Sequence, residues 1–92
     1  MEVLLDGRFM VSRDGAHDQL TEKLSLPSYY GRNLDALYDV LSAYPEDLKV
    51  TLINGDIMCE VLGKYASALI RTFLDASREN PKIEFFLSNE NI

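Results

Sequence analysis

Residues 26–44 read LPSYYGRNLDALYDVLSAY, a stiff approach loop running into a helix with two unlike faces. Pro27 fixes its own φ and biases its neighbour toward extended backbone. Gly31 can take a positive φ that Tyr30 beside it reaches only with strain. Asn33 suits the N-cap, its side-chain oxygen free to accept an N–H of the first turn. At about 100° per residue, Leu34, Leu37, Val40, Leu41 and Tyr44 share one side, while Asp35, Tyr38, Asp39 and Ser42 share the other. The pattern is expected to end near Tyr44-Pro45, where proline stops it. The apolar side has to be buried against something else in the chain, and the flanking segments supply it.

Val3-Leu4-Leu5 reads as a first strand closed by Asp6-Gly7; its unbroken apolar run predicts burial on both faces. After Phe9-Met10-Val11, Ser12 or Asp14 can cap a helix that runs to about Leu24, with Leu20 and Leu24 turned inward and Gly15 weakening its start. Beyond the central helix, Lys49 to Ile53 is a β-branched second strand closed by Asn54-Gly55. Asp56 can cap a short helix through Leu62, broken by Gly63. A longer helix from about Tyr65 to Asn80 turns Ala66, Leu69, Ile70, Phe73 and Ala76 to one side, and Asn80-Pro81 stops it. Ile83 to Leu87 is a third strand, and residues 88–92 are expected to fray. Strands separated by helices pair in parallel through right-handed crossovers. The expected fold is α/β, one domain over residues 1–92, with a small three-stranded parallel sheet and helices packed against it.

Ninety-two residues, 47% apolar and 26% charged, suit a single soluble domain with thin stability margins. The lone Cys59 excludes an internal disulfide and the usual zinc patterns, and reads as a small buried apolar group. Neither a leader-like amino terminus nor an 18-residue apolar stretch stands in the sequence, so a cytoplasmic location is expected. Fifteen acids against nine bases give a net charge of −6. That opposes binding to nucleic acid or an anionic membrane and favours fast capture of a cationic partner. No nucleophile elbow, phosphate loop, dinucleotide fingerprint or zincin helix is present. The single histidine, His17, has no second ligand or nucleophile at a usable spacing and is expected at the surface or a helix edge. Carboxylates one helical turn apart supply only part of a Mg²⁺ site. The chain is expected to be no enzyme and to need no cofactor.

What remains is the polar side of the central helix. Asp35 and Asp39, an i,i+4 pair of like charges, disfavour an isolated helix by a few tenths of a kcal/mol. Asp35 recovers some of this at the positive end of the macrodipole, ~0.3–1 kcal/mol. Solvation alone could explain two outward aspartates. Interleaved with tyrosines on a stiff helix, they also make a docking surface for a basic protein.

The run from Leu26 to Asp39 resembles the signature of the barstar family, intracellular inhibitors of barnase-type ribonucleases. Asp6-Gly7, Phe73, Asp75, Glu79 and the closing Ile83 to Ser88 match in order and approximate spacing, so the resemblance spans nearly the whole chain. It implies inhibition by occlusion, with the acidic helix and its loop entering the nuclease active site. A ribonuclease pocket presents cations to phosphate; the resemblance puts Asp39 in the phosphate's place and Asp35 against a neighbouring basic group. Tyr29, Tyr38 and Tyr44 then supply rigid amphipathic area, Gly31 and Asn33 let the loop approach closely, and Asp75 and Glu79 reinforce the negative field. Tyr30, Leu34, Ala36, Ser42 and Ala43 complete the implied contact set. The chain departs from the family at Tyr38, where tryptophan is usual, at Arg32, which replaces an acid, and at Val40, which replaces a cysteine. Between Tyr44 and Val50 the match needs a one-residue shift. The implied partner is a basic extracellular-type ribonuclease or related basic toxin, met by a chain that is monomeric when free. The alternative is an interaction or immunity module that turns the same face to a basic protein of another kind.

Overall fold

The computed structural model describes residues 1–88. β1 (Glu2–Asp6), β2 (Leu48–Ile53) and β3 (Ile83–Leu87) form one sheet in that order, both pairings parallel, as the alternation of strand and helix requires. Between β1 and β2 run α1 (Arg13–Leu24) and α2 (Leu34–Ser42). Between β2 and β3 run α3 (Gly55–Leu62) and α4 (Lys64–Glu79). Ser88, grouped with the fraying tail, extends the β3 pairing by donating its N–H to the Leu52 carbonyl at 3.0 Å; the rest of that tail lies outside the described residues.

The sheet is one-sided. Val3, Leu5, Leu48, Val50, Leu52 and Ile83 point into a core completed by Met10, Leu20, Leu37, Leu41, Met58, Leu69 and Phe73. Phe73 stacks on Phe85 with centroids 4.7 Å apart. Full burial of each such large side chain contributes ~1.5–3 kcal/mol. The expectation that the Val3-Leu4-Leu5 run is covered on both faces is wrong, for Leu4 is 47% exposed. Strand alternation carries it to the outer face, where the register lines up Leu4, Thr51 and Phe86 beside a row of Glu2, Lys49 and Glu84.

Local chemistry fixes the helix ends. The Ser12 hydroxyl caps α1 by accepting from the Gly15 N–H at 2.9 Å. α3 begins two residues earlier than a cap at Asp56 would allow. Its N-cap residue is Asn54, left-handed at φ 52° and buried, and its side chain is engaged elsewhere. Asn54 Nδ2 donates to Asp6 Oδ1 at 3.0 Å, while Arg8 Nη2 donates to Asp6 Oδ2 at 2.7 Å. Gln19 Oε1 accepts the Asp6 N–H and completes this polar knot at the carboxyl ends of β1 and β2. The Arg8 hydrogen bonds hold the Asp6 carboxyl at about 2, against a usual 3.8, burial opposing them. Gly7 lies so close that a Cβ there would sit 2.1 Å from the Asn54 carbonyl oxygen. Gly63, at φ 55°, makes the break between α3 and α4.

α4 ends in a clamp. Asn80 is buried, and its Nδ2 donates to the carbonyls of Leu41 and Tyr44, each at 3.0 Å. Its Oδ1 accepts the Lys82 N–H at 3.1 Å. The residue that terminates one helix therefore ties down the last turn of the other, answering carbonyls that a helix end leaves unpaired.

Candidate functional site: an acidic helix and its loop

α2 is seated by Leu37 and Leu41, both fully buried, with Leu34, Val40 and Tyr44 packed against the core edge. It lies against α4. The Asn33 Oδ1 accepts the Ala36 N–H at 2.7 Å, and its Nδ2 donates to the Gly31 carbonyl at 3.2 Å, so one side chain both caps the helix and shapes the loop before it. Asp35 and Asp39 stand on the open side, both exposed, and neither has an ion-pair partner among the described residues. Ala43 is exposed beyond them, and Ala36 is half-buried.

Tyr38 and Ser42 sit differently from the helical-wheel reading. Tyr38 is half-buried and packs against the core cluster. Ser42 is half-buried too, its hydroxyl turned inward without a hydrogen-bond partner. Tyr44 reaches back to the Leu24 carbonyl at 3.5 Å, and burial, with Glu46 nearby, pushes its phenol up. On α4, Glu79 is exposed, while Asp75 is half-buried and pairs with Arg78 at 3.4 Å.

The two loop tyrosines have separate fates. Tyr29 is 87% exposed and presents its ring to solvent. Tyr30 is buried, and its hydroxyl meets His17 Nδ1 at 2.8 Å. The other ring nitrogen of His17 meets the Tyr65 hydroxyl at 2.6 Å, and the Arg13 guanidinium covers the Tyr65 ring at 4.3 Å. His17, expected at the surface or a helix edge, is 2% exposed, because two hydroxyls from distant segments satisfy both of its nitrogens. Burial, and then the Arg32 charge, hold its imidazole below the usual value, Asp14 and Asp18 pulling the other way. Burial pushes the Tyr30 phenol up to about 12.

The backbone strain of the loop also falls elsewhere than expected. Gly31 does not take a positive φ; Arg32 does, at 54°. What position 31 needs is space, since a Cβ there would come within 3.1 Å of the Ala36 Cβ. Arg32 turns back to α1, donating from Nη2 to Asp18 Oδ1 at 2.8 Å. No signal in the local sequence marks that pairing, which bridges 14 positions.

Among the described residues no group of three or more metal-ligating side chains exists, and no helix is long and apolar enough to cross a membrane. A one-sided parallel sheet that offers solvent a stiff helix with unpaired carboxylates and an exposed aromatic loop has the form of a protein-binding domain. The chain belongs to the barstar (barnase inhibitor) family, whose model matches residues 1–89. It is 39% identical over 80 residues, 85% of this chain and 87% of the relative, to a Bacillus subtilis (strain 168) protein described as "Putative ribonuclease inhibitor YrdF".

Proposed function

We propose that this chain is a cytoplasmic inhibitor of a basic, barnase-type ribonuclease, acting as a monomer that plugs the active site with α2 and the loop before it. Asp39 takes the place of a substrate phosphate among the nuclease's cations, and Asp35 meets a second basic group beside it. Tyr29 and Tyr38 provide the aromatic border, and Glu79 and Asp75 extend the negative field from α4. Occlusion requires no turnover and no cofactor. Family membership and the description of the Bacillus relative support a ribonuclease target.

The observation that carries the reading is the contrast across α2. Leu37 and Leu41 are fully buried in the core, while Asp35 and Asp39 stand exposed with no counter-charge among the described residues. Neither carboxylate has an ion-pair partner among the described residues, so both are free to meet a basic partner. A net charge of −6 speeds the approach of a basic partner.

Titration of barnase-type ribonuclease activity tests the proposal directly. Inhibition is expected to be complete near one equivalent of the chain and to be lost with Asp39→Ala. A chain that silences no such nuclease at stoichiometric amounts refutes it, and leaves the same face to a basic partner of another kind.

A further inference from the structure

α1 contributes nothing to the proposed contact set, yet it grips the docking loop on both sides of Gly31. On one side the Tyr30 hydroxyl is held by His17. On the other, Arg32 Nη2 donates to Asp18 Oδ1 at 2.8 Å and to the Asp14 carbonyl at 3.2 Å, with Asp14 Oδ1 3.8 Å away. The second grip falls on the residue that makes the left-handed turn, Arg32 at φ 54°, and the next residue caps α2. A long side chain adopts that backbone conformation only at a cost, and it persists where its surroundings hold it. Arg32 is also the one cation of the loop, standing beside a face meant for a cationic cleft.

We propose that the Arg32–Asp18 ion pair is a positioning device for the docking loop. It holds the left-handed turn that sets Tyr29 and the start of α2, and it turns the loop's positive charge toward α1. Neither residue has to touch the partner. This assignment rests on the inhibitor reading above, but the clamp itself can be observed in the free chain.

Charge and clamping make opposite demands, which makes the test sharp. Through the long-range field alone, Asp18→Ala slows the association of a basic nuclease and Arg32→Ala speeds it. Loss of the clamp shifts both variants the same way, toward faster dissociation. In the free protein, amide exchange over residues 29–36 is expected to rise in each single variant by roughly two- to fivefold, the range an exposed ion pair supports. The double variant is expected to exceed neither, and Asp18→Glu to restore the slow rate. With barnase as the probe, dissociation rates are expected to follow the same order. Unchanged exchange in Asp18→Ala, additive effects in the double variant, or dissociation rates that move in opposite directions would each overturn the proposal. If the unmodified chain binds no barnase-type nuclease, the inhibitor reading falls, and exchange in the free chain decides the clamp on its own.

Discussion

Replacing Asn80 by alanine severs the tie between α4 and the end of α2. Three hydrogen bonds go: those to the Leu41 and Tyr44 carbonyls and the one from the Lys82 N–H. They are not equal. Leu41 keeps a second partner, because its carbonyl also accepts from the Tyr44 N–H at 3.1 Å. Lys82 is exposed, so water can take over there. The Tyr44 carbonyl, in a part-buried site, has the poorest replacement. The Tyr44 loss at ~1–1.5 kcal/mol and the two compensated ones at ~0.5 kcal/mol each give a destabilisation of about 2–2.5 kcal/mol. For a domain of this size that lowers the melting temperature by roughly 10–20 °C, read by circular dichroism with urea unfolding as a cross-check. Asn80→Asp makes the argument sharper. It is nearly isosteric and keeps the acceptor for Lys82, but it sets a carboxylate against two carbonyl oxygens and has no hydrogen to donate. Aspartate is therefore expected to be worse than alanine. An aspartate variant as stable as the parent would mean that the clamp contributes nothing and that α2 is held by its apolar side alone.

Asp39→Ala removes a like charge one turn from Asp35, so its melting temperature is expected to be unchanged or slightly higher. Its inhibition constant toward a barnase-type nuclease should rise at least ~30-fold, the interface hot-spot threshold, drawn from complexes that include barnase with barstar itself; a clear drop in stability would make Asp39 structural. Stability should fall in acid through two windows. Folding depresses the His17 imidazole, so stability is lost as the pH drops below its usual 6.5, and His17→Gln should flatten that segment of the profile. Asp6 is depressed from 3.8 to about 2, so its contribution stays above pH 4 and disappears on the way to about 2; Asp6→Asn should remove that second fall. Gly7→Ala, whose Cβ would press on the Asn54 carbonyl, should cost about 3 kcal/mol in a denaturant titration.

The strand positions, the parallel pairing and the seating of α2 were legible because each rests on a local repeat or on the alternation of strand and helix. The leucines of α2 recur at helical spacing, Asn33 caps one residue ahead of them, and Ile83 to Leu87 is bounded by Pro81 and the polar residues after it. What could not be read depends on partners remote in the chain. His17 appeared as an isolated polar residue because its hydroxyls come from positions 13 and 48 residues away. Asn80 showed only its role as a helix stop, since the carbonyls it binds lie 39 and 36 residues earlier. Leu4 misled for another reason. A run of three apolar residues is the same whether a second helical layer covers the sheet or solvent does, and only the count of helices available to cover it decides. At the candidate site, the open placement of Asp35 and Asp39 followed from periodicity, but the inward turns of Tyr30, Tyr38 and Ser42 did not, because packing against α1 and the core edge sets them.

The uncovered face of the sheet has a consequence for how the protein behaves at high concentration. Leu4 and Phe86 alone would make that face a sticky plate, able to stack on its counterpart in another copy. Glu2, Lys49 and Glu84 cross it in register, with Lys49 3.5 Å from Glu2 and its ammonium 5.3 Å from the centre of the Phe86 ring. Two such plates pressed together would dehydrate three ionised side chains on each and oppose glutamates to glutamates. A short stripe of charge across the plate thus opposes the stacking of one such sheet on another.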